Sequence, residues 1–133
     1  MNAQPQPAYP ETKQPAIRLV MMPRDTNALG TIFGGVILSN IDLAAATQAH
    51  LHHPGKLVTV AFDQVEFKQP VFVGDLVSFF AETVRVGRTS ITVGVSVWAQ
   101  RALAREKIVH VTEGRVTLVA VDERMRPTPV SKL

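Results

Sequence analysis

Four long β-type runs follow one another with only short turns between them, and this restricts the chain to antiparallel pairing. The runs are Leu57 to Lys68, Leu76 to Val86, Thr89 to Gln100 and Lys107 to Val121, each rich in Val, Phe, Thr or Ile. Turn formers divide them: Pro70, Gly74-Asp75 and Gly87-Arg88. A parallel neighbour needs a crossover of about a dozen residues or more, and these connections supply none. Within the third run, Ile91, Val93, Val95 and Val97 alternate with Thr92, Gly94, Ser96 and Trp98. That period of two belongs to a strand with unlike faces.

The chain ahead of these runs is different in kind. Ile17 to Met22 reads as a short first strand ended by Pro23, and Arg24 to Thr31 as an ordered loop holding Asp25, Asn27 and Gly30. From Gly34 to about His53, four alanines with Leu and Ile favour a helix, which Pro54-Gly55 stops. The expected class is therefore α+β, an antiparallel five-stranded sheet with one long helix. Such a sheet leaves two edges open, and open edges invite a second copy of the chain.

A length of 133 residues fits one domain, expected over 16–123. Pro5, Pro7, Pro10 and Pro15 mark 1–15 as a disordered N-terminal tail, and Pro127 and Pro129 mark 124–133 as an irregular C-terminal one. The absence of cysteine excludes a disulfide framework, a thiol nucleophile and a zinc-thiolate site together. No apolar run is long enough to span a membrane and no secretory leader is evident, so a cytoplasmic location is expected. Ser131-Lys132-Leu133 has the form of a peroxisomal address, the alternative for a eukaryotic source. A net charge of +3 suits an anionic ligand. Aromatic residues are nearly missing from the basic strands, which argues against nucleic acid as a partner.

Asp42 is the most informative residue. At about 100° per residue, Leu38, Ala45, Ala46 and Ala49 lie within roughly 60° of it on the helix surface. A lone carboxylate on a small-apolar face is expensive to bury, and two turns past the helix start it is too far in to act as a cap. It reads either as a surface or ion-paired aspartate or as a carboxylate lining a narrow pocket. Phe33-Gly34-Gly35 opens the helix. Glycines there serve a tight turn, or let a ligand approach free N–H groups at the positive helix end, as an oxyanion hole requires.

These residues in this order, Met22-Pro23-Arg24-Asp25-Thr26-Asn27-Ala28-Leu29-Gly30, then Ile32-Phe33-Gly34-Gly35 and on to Asp42, resemble the loop and central helix of the hotdog-fold acyl-CoA thioesterases. The single-domain bacterial acyl-CoA thioester hydrolases offer the nearest likeness. Val58-Thr59-Val60-Ala61, Val73-Gly74-Asp75, Val86-Gly87-Arg88-Thr89-Ser90-Ile91 and Val95-Ser96-Val97-Trp98 fit the family's later strands, so the likeness runs from about Arg18 to Asp122.

The resemblance implies a sheet wrapped around the long helix and edge-to-edge dimers with active sites at their interface. It also implies assembly into a hexamer, a trimer of dimers. Asp42 would be the general base or the nucleophile toward the thioester, Asn27 of the partner's loop would position water or substrate, and the Gly35 N–H would polarise the carbonyl. Gly34, Phe33, Thr59, Arg88 and Ser90 would contact the acyl-CoA substrate, Arg88 and Ser90 at the CoA phosphates or pantetheine. No cofactor or metal is expected, since CoA is part of substrate and product. His50, His52 and His53 lie outside the family pattern and lack a third ligand at suitable spacing, and near a helix C-terminus they suit the dipole. Glu113 can face a pocket or solvent. The competing function is a CoA-binding or sensing domain without turnover. Enoyl hydration by this fold uses a His near the helix, and here none precedes Asp42.

Overall fold

The computed structural model describes residues 7–131. Met1 to Gln6 of the expected N-terminal tail, and Lys132-Leu133 of the C-terminal tripeptide, lie outside the described residues. The elements are β1 (Ile17–Val20), α1 (Gly34–Ala49), β2 (Leu57–Asp63), β3 (Leu76–Val86), β4 (Ser90–Arg101) and β5 (Ala104–Ala120), with one 3-10 turn at Pro23–Asp25. The five strands form one sheet in the order β1-β3-β4-β5-β2, with every pairing antiparallel. The sheet wraps α1, which packs mainly on β3 and β4. No helix among the described residues is long and apolar enough to cross a membrane.

The alternation in β4 sets the two faces of the sheet. Ile91, Val93, Val95 and Val97 are buried and meet Val77, Phe79, Val116 and Leu118 from the neighbouring strands. Against them α1 presents Ile37, Ile41, Ala44, Ala45 and Ala49, a stripe at helical spacing. Each fully buried Val, Leu or Ile of this layer contributes about 1.5–3 kcal/mol relative to exposure, which makes it the main stabilising feature. Trp98 departs from the inner face and is covered from outside by Tyr9, with ring centroids 5.5 Å apart. Tyr9 also meets Phe80 edge-on, so Ala8 to Pro15, grouped with the tail on composition, runs across the outer face of the sheet.

Two elements end earlier than their composition suggests. The regular helix stops at Ala49, and Leu51, His52 and His53 follow as a tightened turn on the carbonyls of Gln48 and Ala49. Pro54 is the reason, because the residue before a proline is pushed out of the helical region. Strand β2 stops at Asp63, where Gln64 takes a positive φ of 59° and breaks the ladder. The chain beyond stays tied to β5, with Lys68 N–H donating to Val111 O and Thr112 Oγ1 donating to Glu66 O. The C-terminal segment has no element of its own but is held by Thr128 N–H on Ala120 O and Val130 N–H on Arg88 O.

Candidate active site

Strand β2 is an edge, and α1 passes behind it. Asp42 lies on the flank of the buried helix stripe, half-buried in a row with Leu38 and Ala46, while Ala45 and Ala49 of its expected face are in the core. Its carboxylate meets no cation among the described residues. Its Oδ1 instead accepts the Thr59 hydroxyl at 2.5 Å. A register shift in the β2–β5 pairing falls between Thr59 and Ala61. Such a bulge twists a strand and re-aims its side chains, and here it lies beside the residue that holds the carboxylate.

Asp42 lies eight positions after Gly34 at the head of α1. Phe33 caps the helix without a side-chain hydrogen bond, so the first N–H groups gain no partner from it. The Phe33 ring, 57% exposed, folds back over Gly35. A Cβ at Gly35 would sit 2.5 Å from that ring, so only glycine admits the arrangement. Phe67 covers Gly34 more loosely, at 3.6 Å from where a Cβ would be. Beside Gly34 and Phe67 opens a cleft of about 320 Å³ lined also by Thr31, Ile32, Ile37 and Val71, among others.

Asn27 sits in the loop before the helix, and its carboxamide organises that loop. Its Oδ1 accepts from the N–H groups of Leu29 (2.8 Å) and Thr31 (3.3 Å), and Nδ2 donates to Thr31 Oγ1 at 2.8 Å. A carboxamide has two N–H donors, so one is left for a further acceptor. Phe33 N–H donates to Asp25 O, which binds this loop to the helix start. Arg88 and Ser90 lie elsewhere, at the β3–β4 turn. There Gly87 N–H donates to Ser90 O, and the C-terminal segment runs past toward His53 at the other end of α1.

One chain thus brings Asp42 to Thr59, and ties the loop of Asn27 to Phe33 just ahead of Gly34 and Gly35, but it does not unite the two groups. At a rise of about 1.5 Å per residue, roughly 10 Å of helix axis lies between Gly35 and Asp42. A carbonyl carbon within about 3.5 Å of the carboxylate cannot place its oxygen on the Gly35 N–H of the same chain. A larger cleft of about 530 Å³ on the outer sheet face, lined by Phe80, Trp98, Glu113 and Arg115 among others, holds none of the expected site residues. Chemistry, not volume, locates the site.

Sequence reasoning gave no role to two groups that stand out. Asp75, read as a turn former, is 1% exposed and paired with Arg101 at 2.6 Å. His110 is buried beside Trp98, with ring centroids 4.6 Å apart and neither ring nitrogen hydrogen-bonded. Burial lowers its pKa, as does Lys68, while Glu113 at 3.9 Å opposes them. Both groups depend on partners across the sheet, and a single sequence carries no signal for either. The helical histidines are engaged singly: His50 Nδ1 with His53 O, His52 Nε2 with Thr83 Oγ1, and His53 Nδ1 accepting from Ser131 N–H.

Residues 29–103 match the family model described as the thioesterase superfamily. A protein of Zymomonas mobilis described as an uncharacterised acyl-CoA thioester hydrolase is 42% identical over 117 residues, 88% of this chain and 78% of that protein. A hexameric hotdog-fold thioesterase of Campylobacter jejuni superposes with a TM-score of 0.83 at 45% identity, covering 90% of this chain and 91% of the other. A hexameric thioesterase of Yersinia pestis gives a TM-score of 0.84 at 36% identity, covering 94% of this chain and 100% of its own.

Proposed function

The chain belongs to the thioesterase superfamily, and from that premise we propose that it hydrolyses acyl-CoA to free CoA and a carboxylic acid. The observation that carries this reading is Asp42, a half-buried carboxylate held by Thr59 beside the edge strand β2. The roughly 10 Å of helix between Asp42 and Gly35 supports a shared site. In it, Asp42 of one copy faces the Gly35 N–H and the Asn27 loop of a second copy paired along β2. Val60 and Phe62 are exposed on that strand, as a surface to be covered would require. The hexameric relatives favour a trimer of such dimers.

The chemistry follows from the groups present. In the base route, Asp42 takes a proton from water as the water oxygen bonds to the thioester carbon. The carbonyl oxygen gains negative charge, which the Gly35 N–H and the positive end of α1 stabilise. Collapse breaks the C–S bond, and the thiolate leaves with the proton that returns from Asp42. In the nucleophile route the carboxylate itself attacks the carbonyl carbon and the C–S bond breaks to expel the CoA thiolate. Water then cleaves the mixed anhydride to give the acid and free Asp42. Both routes use the same carboxylate. The remaining Asn27 N–H suits the water or the acyl oxygen, and Arg88 and Ser90 suit the CoA phosphates.

The test is release of free CoA from short, medium, long and aromatic acyl-CoAs by the wild-type protein and by Asp42→Ala. Turnover that collapses in the variant, with the oligomer intact, is the expected result. Mixing Asp42→Ala with Asn27→Ala copies should then restore turnover that neither has alone, because each mixed dimer regains one complete site. Absence of wild-type turnover across the panel, with CoA still bound, would instead establish a sensing domain.

A further inference from the structure

Resting on that functional reading, we propose that Asp75 and Arg101 are positioning residues of the reaction, a part-buried clamp that fixes where the helix-start N–H groups stand. The clamp grips one short segment from both sides. Arg101, the last residue of β4, donates from Nη1 to Asp75 Oδ2 at 2.6 Å and to Pro70 O at 3.1 Å. The same Asp75 oxygen accepts Phe72 N–H at 2.9 Å. The guanidinium also lies over the Phe72 ring, 4.8 Å from its centroid. Pro70 and Phe72 are thus both held, and the residue between them is Val71. Its carbonyl receives Ile32 N–H at 2.8 Å, two residues before Gly34.

The backbone of Asp75 extends the grip to the loop that carries Asn27. Asp75 O accepts Met21 N–H at 3.0 Å, and Met21 O accepts Gly74 N–H at 2.8 Å. Gly74 has a φ of +88°, so the turn that aims Asp75 inward depends on a glycine. Met22 N–H in turn donates to Asp25 Oδ2, and Asp25 O accepts Phe33 N–H. Two routes therefore run from one ion pair to Ile32 and Phe33, the two residues that lead into the helix. Arg101 suits this task because its planar fork serves a carboxylate and a carbonyl while stacking on a ring, which lysine cannot match.

A turn former or a stabilising ion pair would not need these connections, and the difference is measurable. Arg101→Gln and Asp75→Asn are compared with wild type, well below their unfolding midpoints. The readouts are acyl-CoA turnover and amide hydrogen exchange. In Arg101→Gln, kcat should fall on the order of tenfold to a hundredfold, as for a misplaced catalytic group, with KM moving less than about twofold. Exchange should quicken at Ile32, Phe33 and Phe72 while the amides of β4 and β5 keep their protection. Arg101→Lys should restore only part of kcat. Unchanged exchange at Ile32 and Phe33, or a uniform rise across the sheet, would overturn the proposal while wild-type turnover persists. No turnover by the wild-type protein would instead overturn the functional reading, and the clamp's catalytic role with it.

Discussion

Replacing Thr59 by valine tests whether the hold on Asp42 matters to turnover. Valine keeps the shape and the β-branching that suit β2 and removes only the hydroxyl that donates to Asp42 Oδ1 at 2.5 Å. A hydrogen bond to a charged group is worth about 1.5–3 kcal/mol net. Thr59 is exposed in the single chain and Asp42 half-buried, so water can replace part of that. About 1–2 kcal/mol is the reasoned loss in orientation of the carboxylate, or roughly 5- to 30-fold in kcat/KM. On the proposed mechanism the loss should fall in kcat, because the hydroxyl bonds the Asp42 carboxylate. Thr59→Ser, which retains the donor, should stay near wild type. The assay is thiol release at saturating and low acyl-CoA, alongside thermal unfolding. The unfolding midpoint should barely move, since surface substitutions of this kind stay within about 0.5 kcal/mol. Thr59→Val within about twofold of wild type, or Thr59→Ser as impaired as Thr59→Val, would refute the argument.

Gly35→Ala places a methyl group 2.5 Å from the Phe33 ring, whereas Gly34→Ala meets Phe67 only at an ordinary 3.6 Å. Because Phe33 is exposed and can swing away, both variants should stay within about 1 kcal/mol of wild-type stability by urea unfolding. On the proposed mechanism turnover should fall at least about tenfold in Gly35→Ala alone, where the methyl crowds the N–H proposed to polarise the carbonyl. His110 carries a pH prediction. Burial lowers its pKa below the usual 6.5, so the fold holds the neutral ring. The unfolded chain then binds the extra proton below that value, so stability is full above about pH 6.5 and declines as pH falls. One proton of difference sets a ceiling of about 1.4 kcal/mol per pH unit. His110→Leu, which removes two unpartnered nitrogens, should flatten this decline in unfolding measured from pH 8 to pH 5 at fixed protein concentration. Parallel pH curves for the two proteins would count against it.

The antiparallel class, the long helix and most strand limits were legible because they rest on local quantities. The period of two in β4, the alanine-rich helix and the Gly and Pro turns all act within a few residues. The same is true of the Phe33-Gly34-Gly35 helix start and of Asp42 as an acid beside alanines. Where local rules met a longer-range one, they lost. Composition carried the run from Leu57 on to Lys68, but Gln64 ends the ladder, and Glu66 and Lys68 are tied to β5 by separate bonds. Composition likewise grouped Tyr9 with a disordered tail, although its ring lies against Phe80 and Trp98.

Partnership across the sheet was decided only by the tertiary structure. Thr59 meets Asp42 because an edge strand passes the helix with a bulge beside it, and no spacing in the chain encodes that approach. Asp75 finds Arg101 because the β3–β4 register sets the start of one strand beside the end of the other. His110 lies buried without a hydrogen-bond partner for the same reason, since the β4–β5 register sets its ring against Trp98 of the neighbouring strand. Local patterning fixes which elements form because each residue's propensity and polarity act on its near neighbours. Which side chains meet depends on strand register and helix rotation, which are settled by burying the whole apolar layer at once.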